Sequence, residues 1–468
     1  MRDLKGRSRY NLRYSGRKRL KLLGVFLLFS IFLILLTALF ARKGSDAVAS
    51  HSRPSAVSTV PTGNTLFPLA CSLLPGAQEI AGNLSAITSD GTLLRYSIDP
   101  RLQQSMQQFF EKNRPPYALF IALEPATGRI ISLAAASQDP SWKLDAAYRL
   151  FPMASLFKII TAAAALEQAK ITPFSQISYR GSAISENPGN WDPRPKRGCL
   201  SMDMTEAMAK SVNPVYGKLA SDLLGKDALA ATCSNFGFNR PLVAGIPAMP
   251  SRAEVPETMH GLRLMGSGLD HELKVSPLHA AAITAAIANN GLMMTPRLVD
   301  SMVLDGKETP IAPPVPLTRV VKPDVADSLR RMLLDTVTSG TCRKAFRTYD
   351  GRRLLSIMQV AAKTGSITGD DPAGHYSWFT AFAPAEKPQV AVLALVINDG
   401  RWKIKASNVG EHALTTFFWD QLAQAPALPV LAPERKNREL RKKKTVRTHR
   451  SHIVRKKNSQ SSHRGTAV

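Results

Sequence analysis

The sequence has few of the residues that bind metals. Only four cysteines and nine histidines occur among 468 residues. The cysteines do not have metal-ligand spacing, and the histidines do not cluster. We therefore expect no metal ion and no other cofactor.

Acidic residues are also scarce, because 35 Asp and Glu face 61 Lys and Arg, giving a formal charge of +26. The imbalance lies at the ends. Residues 1–21 hold nine basic residues and one acidic residue, and residues 434–468 hold thirteen basic and two acidic residues. The remainder carries only +7. This distribution excludes a uniformly basic nucleic-acid-binding domain and indicates an ordinary body with two basic ends.

Residues 22–41 form an apolar run without any charge. As a helix, 20 residues span roughly 30 Å, the thickness of the hydrocarbon layer of a bilayer. The basic residues before it predict a cytoplasmic tail over 1–21, a transmembrane helix over 22–41 and an external remainder. A cleaved signal peptide ending near 47–49 is the alternative. It is disfavoured because the apolar run is long and charges at Arg42, Lys43 and Asp46 separate it from that site.

Residues 42–94 are predicted to form an extracytoplasmic linker followed by a small hairpin. Positions 44–65 are rich in Ser, Pro, Ala, Gly and Thr, which is typical of a flexible tether. A turn at 89–91 indicates the hairpin. At the other end, residues 426–468 are predicted to be a disordered basic tail. Outside the cell this tail would meet anionic envelope polymers or lipid head groups, or it would simply be solvated.

The region 95–425 has strands near both ends and helices between them. Strands are expected at 117–123, 129–135, 358–363, 377–384 and 389–398, with a loop over 365–374. The pattern from about 170 to 350 is mostly helical, and 408–424 reads as a closing helix capped by Ser407 or Asn408. This order predicts an α+β domain in which helices flank an antiparallel sheet and form a lobe of their own.

Two polar residues interrupt the apolar helical pattern that follows Pro152. Ser155 and Lys158 lie three residues apart, so a helix places them on one face. Apolar surroundings disfavour the ammonium and lower the lysine pKa, so the amine can accept the serine proton. Backbone N–H groups at the helix start could stabilise an oxyanion. Because S-x-x-K also occurs by chance, as at Ser15–Lys18, the pair needs support from other motifs.

Two further stretches could supply that support. Ser211 and Asn213 lie between two helical patterns, and Pro214 breaks the chain there. Lys363, Thr364 and Gly365 follow an apolar strand, where they would suit an extended substrate that carries a carboxylate. Taken alone, the first stretch is also typical of a helix cap, and the second of a solvated strand end.

The three stretches occur in the order S-x-x-K, S-x-N, K-T-G, each in the element that its role requires. This set resembles the penicillin-binding transpeptidases and serine β-lactamases, with the resemblance covering about 95–425. It implies that Ser155 is the nucleophile that attacks the D-Ala–D-Ala bond of a peptidoglycan stem peptide. The other implied roles are Lys158 as base, Ser211 and Lys363 as proton donors to the leaving amine, Asn213, Thr364, Gly365 and Ser366 as substrate-binding residues, and the backbone N–H groups of Ser155 and Ser366 as the oxyanion hole.

The resemblance implies a cross-linking enzyme of the bacterial cytoplasmic membrane, with its catalytic domain on the outer side and β-lactams as inhibitors. Residues 42–94 are too few for a glycan-polymerising domain, so a separate glycan polymerase is an expected partner. Ser366 replaces the threonine that is common in the family, and the hydroxyl remains.

Two alternatives belong beside this interpretation. A D,D-carboxypeptidase or β-lactamase would need a group that activates a deacylating water, and no convincing motif for it occurs near Glu254 and Glu257. An inactive envelope scaffold would not need the intact motif residues.

The cysteines leave their pairing open. Cys71, Cys199, Cys233 and Cys342 would all face an oxidising compartment, where even numbers suggest disulfides. Cys199 and Cys233 flank the Ser211 segment and could clamp it, but free buried thiols are an equally good interpretation.

Overall fold

The computed structural model describes residues 63–168, 170–193, 198–242, 249–311, 313–400 and 403–428. The chain divides into two compact units, 1–60 and 61–468, and all described residues belong to the second. The predicted N-terminal tail, the transmembrane helix over 22–41 and the basic tail from 429 onward lie outside the described residues. Within those ranges, none of the helices is both long and apolar enough to cross a bilayer.

Strands occur in both halves of the second unit. They are β1 Gln78–Ile80, β2 Asn83–Ile87, β3 Leu93–Tyr96, β4 Tyr117–Leu123, β5 Ile130–Ser137, β6 Phe151–Pro152, β7 Gln176–Tyr179, β8 Leu200–Asp203, β9 Lys274–Val275, β10 Leu292–Met294, β11 Val299–Leu304, β12 Lys307–Pro310, β13 Pro316–Arg319, β14 Ala361–Asp370, β15 Ala373–Ala383 and β16 Val390–Asn398.

Helices are concentrated between the two groups of strands. They are α1 Gly63–Leu73, α2 Pro100–Asn113, α3 Lys158–Glu167, α4 Met204–Lys210, α5 Asn213–Lys218, α6 Gly225–Asn235, α7 Met259–Ser267, α8 Pro277–Ala288, α9 Pro323–Thr338, α10 Tyr349–Ile357, α11 Ala406–Phe417 and α12 Trp419–Gln424. Shorter helical turns include the 3-10 turn Ala154–Phe157, directly before α3.

The main sheet has the strand order β14-β15-β16-β4-β5, and every neighbouring pair is antiparallel. The centre of this sheet is covered by helices on both faces. Successive side chains of a strand point to opposite sides, so each central strand contributes to two cores. In β4, Leu119, Ile121 and Leu123 join the core that contains α3 and α8, whereas Ala118 and Phe120 join the core that contains α2 and α11. The predicted α+β class, with an antiparallel sheet flanked by helices, is confirmed.

A second sheet has the order β1-β2-β3-β11-β12. Its β2–β3 pair is the hairpin that the sequence predicts, with Gly91 at a φ of +85° in the turn. Because β3 also pairs with β11, the hairpin shares a sheet with residues more than 200 positions further along the chain. The predicted domain limits of 95 and 425 stay a prediction.

The segment around Lys363 corrects the sequence analysis. A loop was expected over 365–374, but β14 continues to Asp370 and pairs with β15 along its whole length. The polar, glycine-containing pattern conceals this strand, because Thr364 and Ser366 line the cleft described below rather than the core. The K-T-G residues therefore lie within an edge strand, not at its end.

The expected start of the closing helix is also wrong. The closing helix begins at Ala406 with Lys405 in the cap position, and it breaks at Phe418 into α11 and α12. The backbone N–H of Lys405 donates to Asn408 Oδ1 at 3.1 Å, so Asn408 acts inside the first turn rather than before it. The region 170–350 contains short strands β7 to β13 besides its helices.

The four cysteines are free thiols. Cys71, Cys233 and Cys342 are buried and Cys199 is exposed, so the clamp between Cys199 and Cys233 is absent. The alternative of free buried thiols holds for three of the four.

Candidate active site

The predicted nucleophile lies on a tightly packed turn. Pro152 in β6 accepts a hydrogen bond from Trp378 Nε1 at 2.9 Å, and the 3-10 turn that follows presents Ser155. Gly268 has a φ of +73°, and a Cβ at this position would lie only 2.1 Å from the carbonyl oxygen of Ala154. The turn is therefore held from both sides, and Gly268 admits no side chain without moving it.

Lys158 is the first residue of α3, and its side chain is completely buried. Its Nζ lies 2.6 Å from Ser155 Oγ, 2.7 Å from Asn213 Oδ1 and 2.7 Å from the carbonyl oxygen of Ser267. Burial, followed by repulsion from Lys363, lowers the pKa of Lys158 well below its ordinary value.

These three contacts match the hydrogen-bonding capacity of a neutral amine. The Asn213 and Ser267 oxygens can only accept, so they take the two N–H groups of an uncharged Lys158. The amide of Asn213 is oriented by its Nδ2, which donates to the carbonyl oxygen of Ser185 at 3.2 Å. The lone pair of Nζ is left for the hydroxyl of Ser155, and the geometry therefore suits proton transfer from serine to lysine.

A second lysine–hydroxyl pair faces the first. Ser211 ends α4 in the left-handed conformation, with a φ of +56°. Lys363 Nζ donates to Ser211 Oγ at 2.9 Å and to the carbonyl oxygen of Thr364 at 2.7 Å. Burial lowers the pKa of Lys363 to about 7, so this amine exchanges protons near neutral pH.

Strand β14 passes directly beside the nucleophile turn. A Cβ on Gly365 would lie 3.2 Å from the Cβ of Ala154 and 3.4 Å from the backbone nitrogen of Ser155. A glycine here lets the strand and the turn approach closely. Thr364 and Ser366, on either side of Gly365, line a cleft beside this turn.

The cleft has a volume of about 370 Å³. Its lining includes predicted residues from all three motifs, namely Ser155, Ser211, Asn213, Thr364, Gly365 and Ser366. The buried amines of Lys158 and Lys363 contact Ser155 and Ser211, respectively. The structure therefore brings all eight predicted residues together, although their individual roles stay predictions. A larger cavity of about 470 Å³ near Cys71 and Tyr148 contains none of them.

Sequence reasoning missed Thr341. Its Oγ1 lies 2.5 Å from Thr364 Oγ1, and its backbone N–H donates to the carbonyl oxygen of Ala209 at 3.0 Å. The preceding Gly340 packs so closely that a Cβ would lie 2.3 Å from the same carbonyl oxygen. The loop after α9 thus ties the end of α4 to β14. Its only signal in the sequence is Ser-Gly-Thr after a helix, which does not differ from an ordinary turn.

No group of three His, Cys, Asp or Glu side chains in the described ranges is placed to hold a metal ion.

The penicillin binding protein transpeptidase domain is the family whose sequence model matches the chain, over residues 118–414. The chain belongs to this family. The matched range includes both lysine–hydroxyl pairs and all of β14. The transpeptidase family predicted from the three motifs is therefore confirmed.

Named relatives of the chain support this assignment. The peptidoglycan D,D-transpeptidase PbpA of Mycolicibacterium smegmatis is 29% identical over 350 residues, which cover 66% of this chain and 68% of the relative. The crystal structure of PBPA from Mycobacterium tuberculosis matches with a TM-score of 0.56 and 26% identity, covering 69% of this chain and 81% of that one.

The same M. tuberculosis protein is also known as a penicillin G acyl-enzyme complex. That structure matches this chain with a TM-score of 0.57 and 26% identity, covering 69% of this chain and 80% of that one. The predicted enzyme class, a serine-type D,D-transpeptidase of the penicillin-binding family, is confirmed by the family match and these relatives.

Proposed function

We propose that the chain cross-links peptidoglycan through an acyl-enzyme on Ser155. The observation that carries the proposal is the 2.6 Å contact between Ser155 Oγ and the buried amine of Lys158. That contact lies in a cleft that also holds a second amine–hydroxyl pair, Lys363 with Ser211. A nucleophile, a base and a separate proton donor are the groups that amide exchange requires.

The acylation step follows from this arrangement. Neutral Lys158 takes the proton of Ser155 Oγ while the oxygen attacks the carbonyl carbon between two D-alanines. The backbone N–H groups of Ser155 and Ser366 stabilise the oxyanion of the tetrahedral intermediate. When the carbon–nitrogen bond breaks, Ser211 hands a proton to the leaving amine and is reprotonated by Lys363.

The donor peptide binds along β14. As the last strand in the sheet order, β14 has an edge to which an extended peptide can add. The hydroxyls of Thr364 and Ser366 and the charge of Lys363 would hold the terminal carboxylate, and Asn213 would contact the donor amide. Asn213 has a second role, because its Oδ1 already positions Lys158.

The location of the enzyme is also part of the proposal. Residues 22–41 would anchor the chain in the bacterial cytoplasmic membrane with residues 1–21 inside and the transpeptidase domain outside. The uncharged run and the nine basic residues before it support this orientation. A separate glycan polymerase would supply the strands, and the basic tail would contact anionic envelope polymers.

Labelled penicillin tests the proposed acyl-enzyme. The full-length chain should become labelled, and mass spectrometry should place the adduct on Ser155. Ser155→Ala should lose all labelling. Ser15→Ala is the matched control, because Ser15 belongs to the other S-x-x-K match and should not matter. Retained labelling of Ser155→Ala would refute the assignment of the nucleophile.

A further inference from the structure

The cleft is lined by more basic than acidic side chains. Lys210, Lys405 and Glu186 line it, and Glu186 is the sole carboxylate among its described lining residues. Lys210 forms an ion pair with Glu206. Glu186 is exposed and has no hydrogen bond or ion pair within the described part of the chain. Within the described ranges, Glu186 is therefore an unpaired carboxylate at a cleft whose other charged lining side chains are lysines.

The loop that carries Glu186 is fixed on the side of the S-x-N motif. The backbone N–H of Asn213 donates to the carbonyl oxygen of Ala183 at 2.8 Å. Asn213 Nδ2 donates to the carbonyl oxygen of Ser185 at 3.2 Å. Glu186 directly follows Ser185, so its backbone position is tied to the same asparagine that holds Lys158.

The loop is equally well fixed beyond Glu186. The completely buried Trp191 packs so closely on Gly217 that a Cβ there would lie 2.2 Å from the indole ring. Trp191 Nε1 donates to Ser185 Oγ at 2.9 Å, and Arg263 Nη1 donates to the carbonyl oxygen of Pro188 at 3.1 Å. Anchors on both sides therefore fix the backbone that carries Glu186 at the cleft wall.

A transpeptidation cleft must receive two groups of opposite charge. The donor peptide ends in a carboxylate, which belongs on the β14 side beside Lys363. The acceptor is an amine, and an unhindered alkyl amine carries a positive charge at neutral pH. The lysines that line the cleft, Lys210 and Lys405, repel such a group, whereas Glu186 attracts it. Glu186 lines the cleft from the loop that Asn213 holds, whereas the donor carboxylate would lie beside β14.

We propose that Glu186 binds a primary ammonium group of a stem peptide, and that the acceptor strand supplies this group. The inference rests on the proposed transpeptidase function and assigns its acceptor site. Glu186 concentrates the acceptor beside the Ser155 ester, so the acyl group passes to an amine rather than to water.

The transfer step balances without another reactant. Lys158 first loses to solvent the proton that it took from Ser155. The bound ammonium then gives one proton to the neutral Lys158, and its nitrogen attacks the ester carbonyl. The new carbon–nitrogen bond forms as the bond to Ser155 Oγ breaks, and Oγ takes a second proton from the nitrogen. Lys158 releases its proton to solvent, and the third hydrogen stays on the new amide.

The test measures how the acyl-enzyme divides between amine and water. The full-length chain receives an N-acetyl-D-alanyl thioester, which has no amine, together with Nα-acetyl-lysine amide as the acceptor. In Glu186→Gln we expect the ratio of amide to acid product to fall about fivefold, the size typical of a partly exposed ion pair. The rate of Ser155 acylation should stay within twofold. Added salt at about 1 M should bring the wild-type ratio close to that of the variant.

Three controls sharpen the result. Glu257→Gln removes an exposed carboxylate that pairs with Lys226 away from the cleft lining, and it should leave the ratio unchanged. Hydroxylamine, which is uncharged at neutral pH, should show no dependence on Glu186. A lysine-containing thioester tests the other source of an ammonium group, the donor side chain.

The contradicting outcomes are distinct. An unchanged ratio would refute the ammonium site. A raised ratio would also refute it, because Glu186 would then be activating the hydrolytic water. Slower acylation by the lysine-containing donor alone would assign Glu186 to the donor and overturn its assignment to the acceptor. Failure of the wild type to acylate at all would refute the proposed function rather than this inference.

Discussion

The pair Ser155–Lys158 is contained in a single helical turn, whereas Ser211 and Lys363 are 152 residues apart and meet only when β14 docks beside α4. Lys158 has two oxygen acceptors besides its serine, one from Asn213 and one from Ser267. Among the described residues Lys363 has one, the carbonyl oxygen of its own neighbour Thr364. We infer from this comparison that the two pairs have different roles. The local pair is rigid enough to activate a nucleophile, and the distant pair can serve a leaving group.

The largest expected effect comes from breaking the local pair. Lys158→Met keeps most of the buried volume but removes the base. We expect acylation by penicillin to slow by roughly 10³-fold, since a positioned general base contributes about 10²- to 10⁴-fold. The rate of labelled-penicillin attachment measures this effect. Thermal unfolding should show that the variant remains folded, and acylation within tenfold of wild type would show that another group acts as the base.

Breaking the distant pair should have a smaller effect that depends on the substrate. In Ser211→Ala the leaving amine loses its proton donor, so we expect a loss of roughly 10²-fold with an amide donor. A thioester donor should lose less than about tenfold, because a thiolate leaves without protonation. Parallel acylation rates with the two donors measure the difference. Equal losses with both would place Ser211 in nucleophile activation instead and remove the distinction between the pairs.

The smallest expected effect concerns stability. The pKa of Lys363 is about 7 in the folded chain and 10.5 ordinarily. Between these values the unfolded chain binds a proton at this residue that the folded chain does not bind. The contribution of Lys363 to stability therefore falls as pH decreases from 10.5 to 7 and is constant below that range.

Lys363→Met should remove this pH dependence. From pH 9.5 to pH 7.5 we expect the wild-type unfolding temperature to fall by roughly 3 °C more than that of the variant. Differential scanning calorimetry at the two pH values measures this difference. Lys226→Met, at an exposed lysine, is the matched control and should follow the wild type. If Lys363→Met also followed the wild type, Lys363 would be charged in the folded protein.

How much could be predicted from sequence depended on the distance between the partners. Ser155 and Lys158 could be paired because the period of a helix alone places them together. Ser211 and Lys363 could be joined only through the resemblance, since no local pattern relates residues so far apart. Thr341 and Glu186 could not be found, because their importance arises from how two irregular loops fold against α4 and Asn213.

The strand error had a related cause. Most residues from Thr364 to Asp370 are polar or small, and Thr364, Gly365 and Ser366 line the cleft. This composition is typical of loops. Only pairing with β15 reveals that they are extended. Prediction by periodicity was therefore accurate for β4, which is buried on both faces, and wrong for the strand that carries the chemistry.

The contact between Gly268 and the carbonyl oxygen of Ala154 restricts how this enzyme can change under antibiotic selection. Even a methyl group at position 268 would displace the turn that presents Ser155. The reaction of Ser155 with the physiological substrate would then be impaired together with its reaction with the drug. Adaptive substitutions are therefore expected to avoid this position. The outer rim has more freedom, above all at Ile184, whose side chain is 78% exposed beside the same cleft.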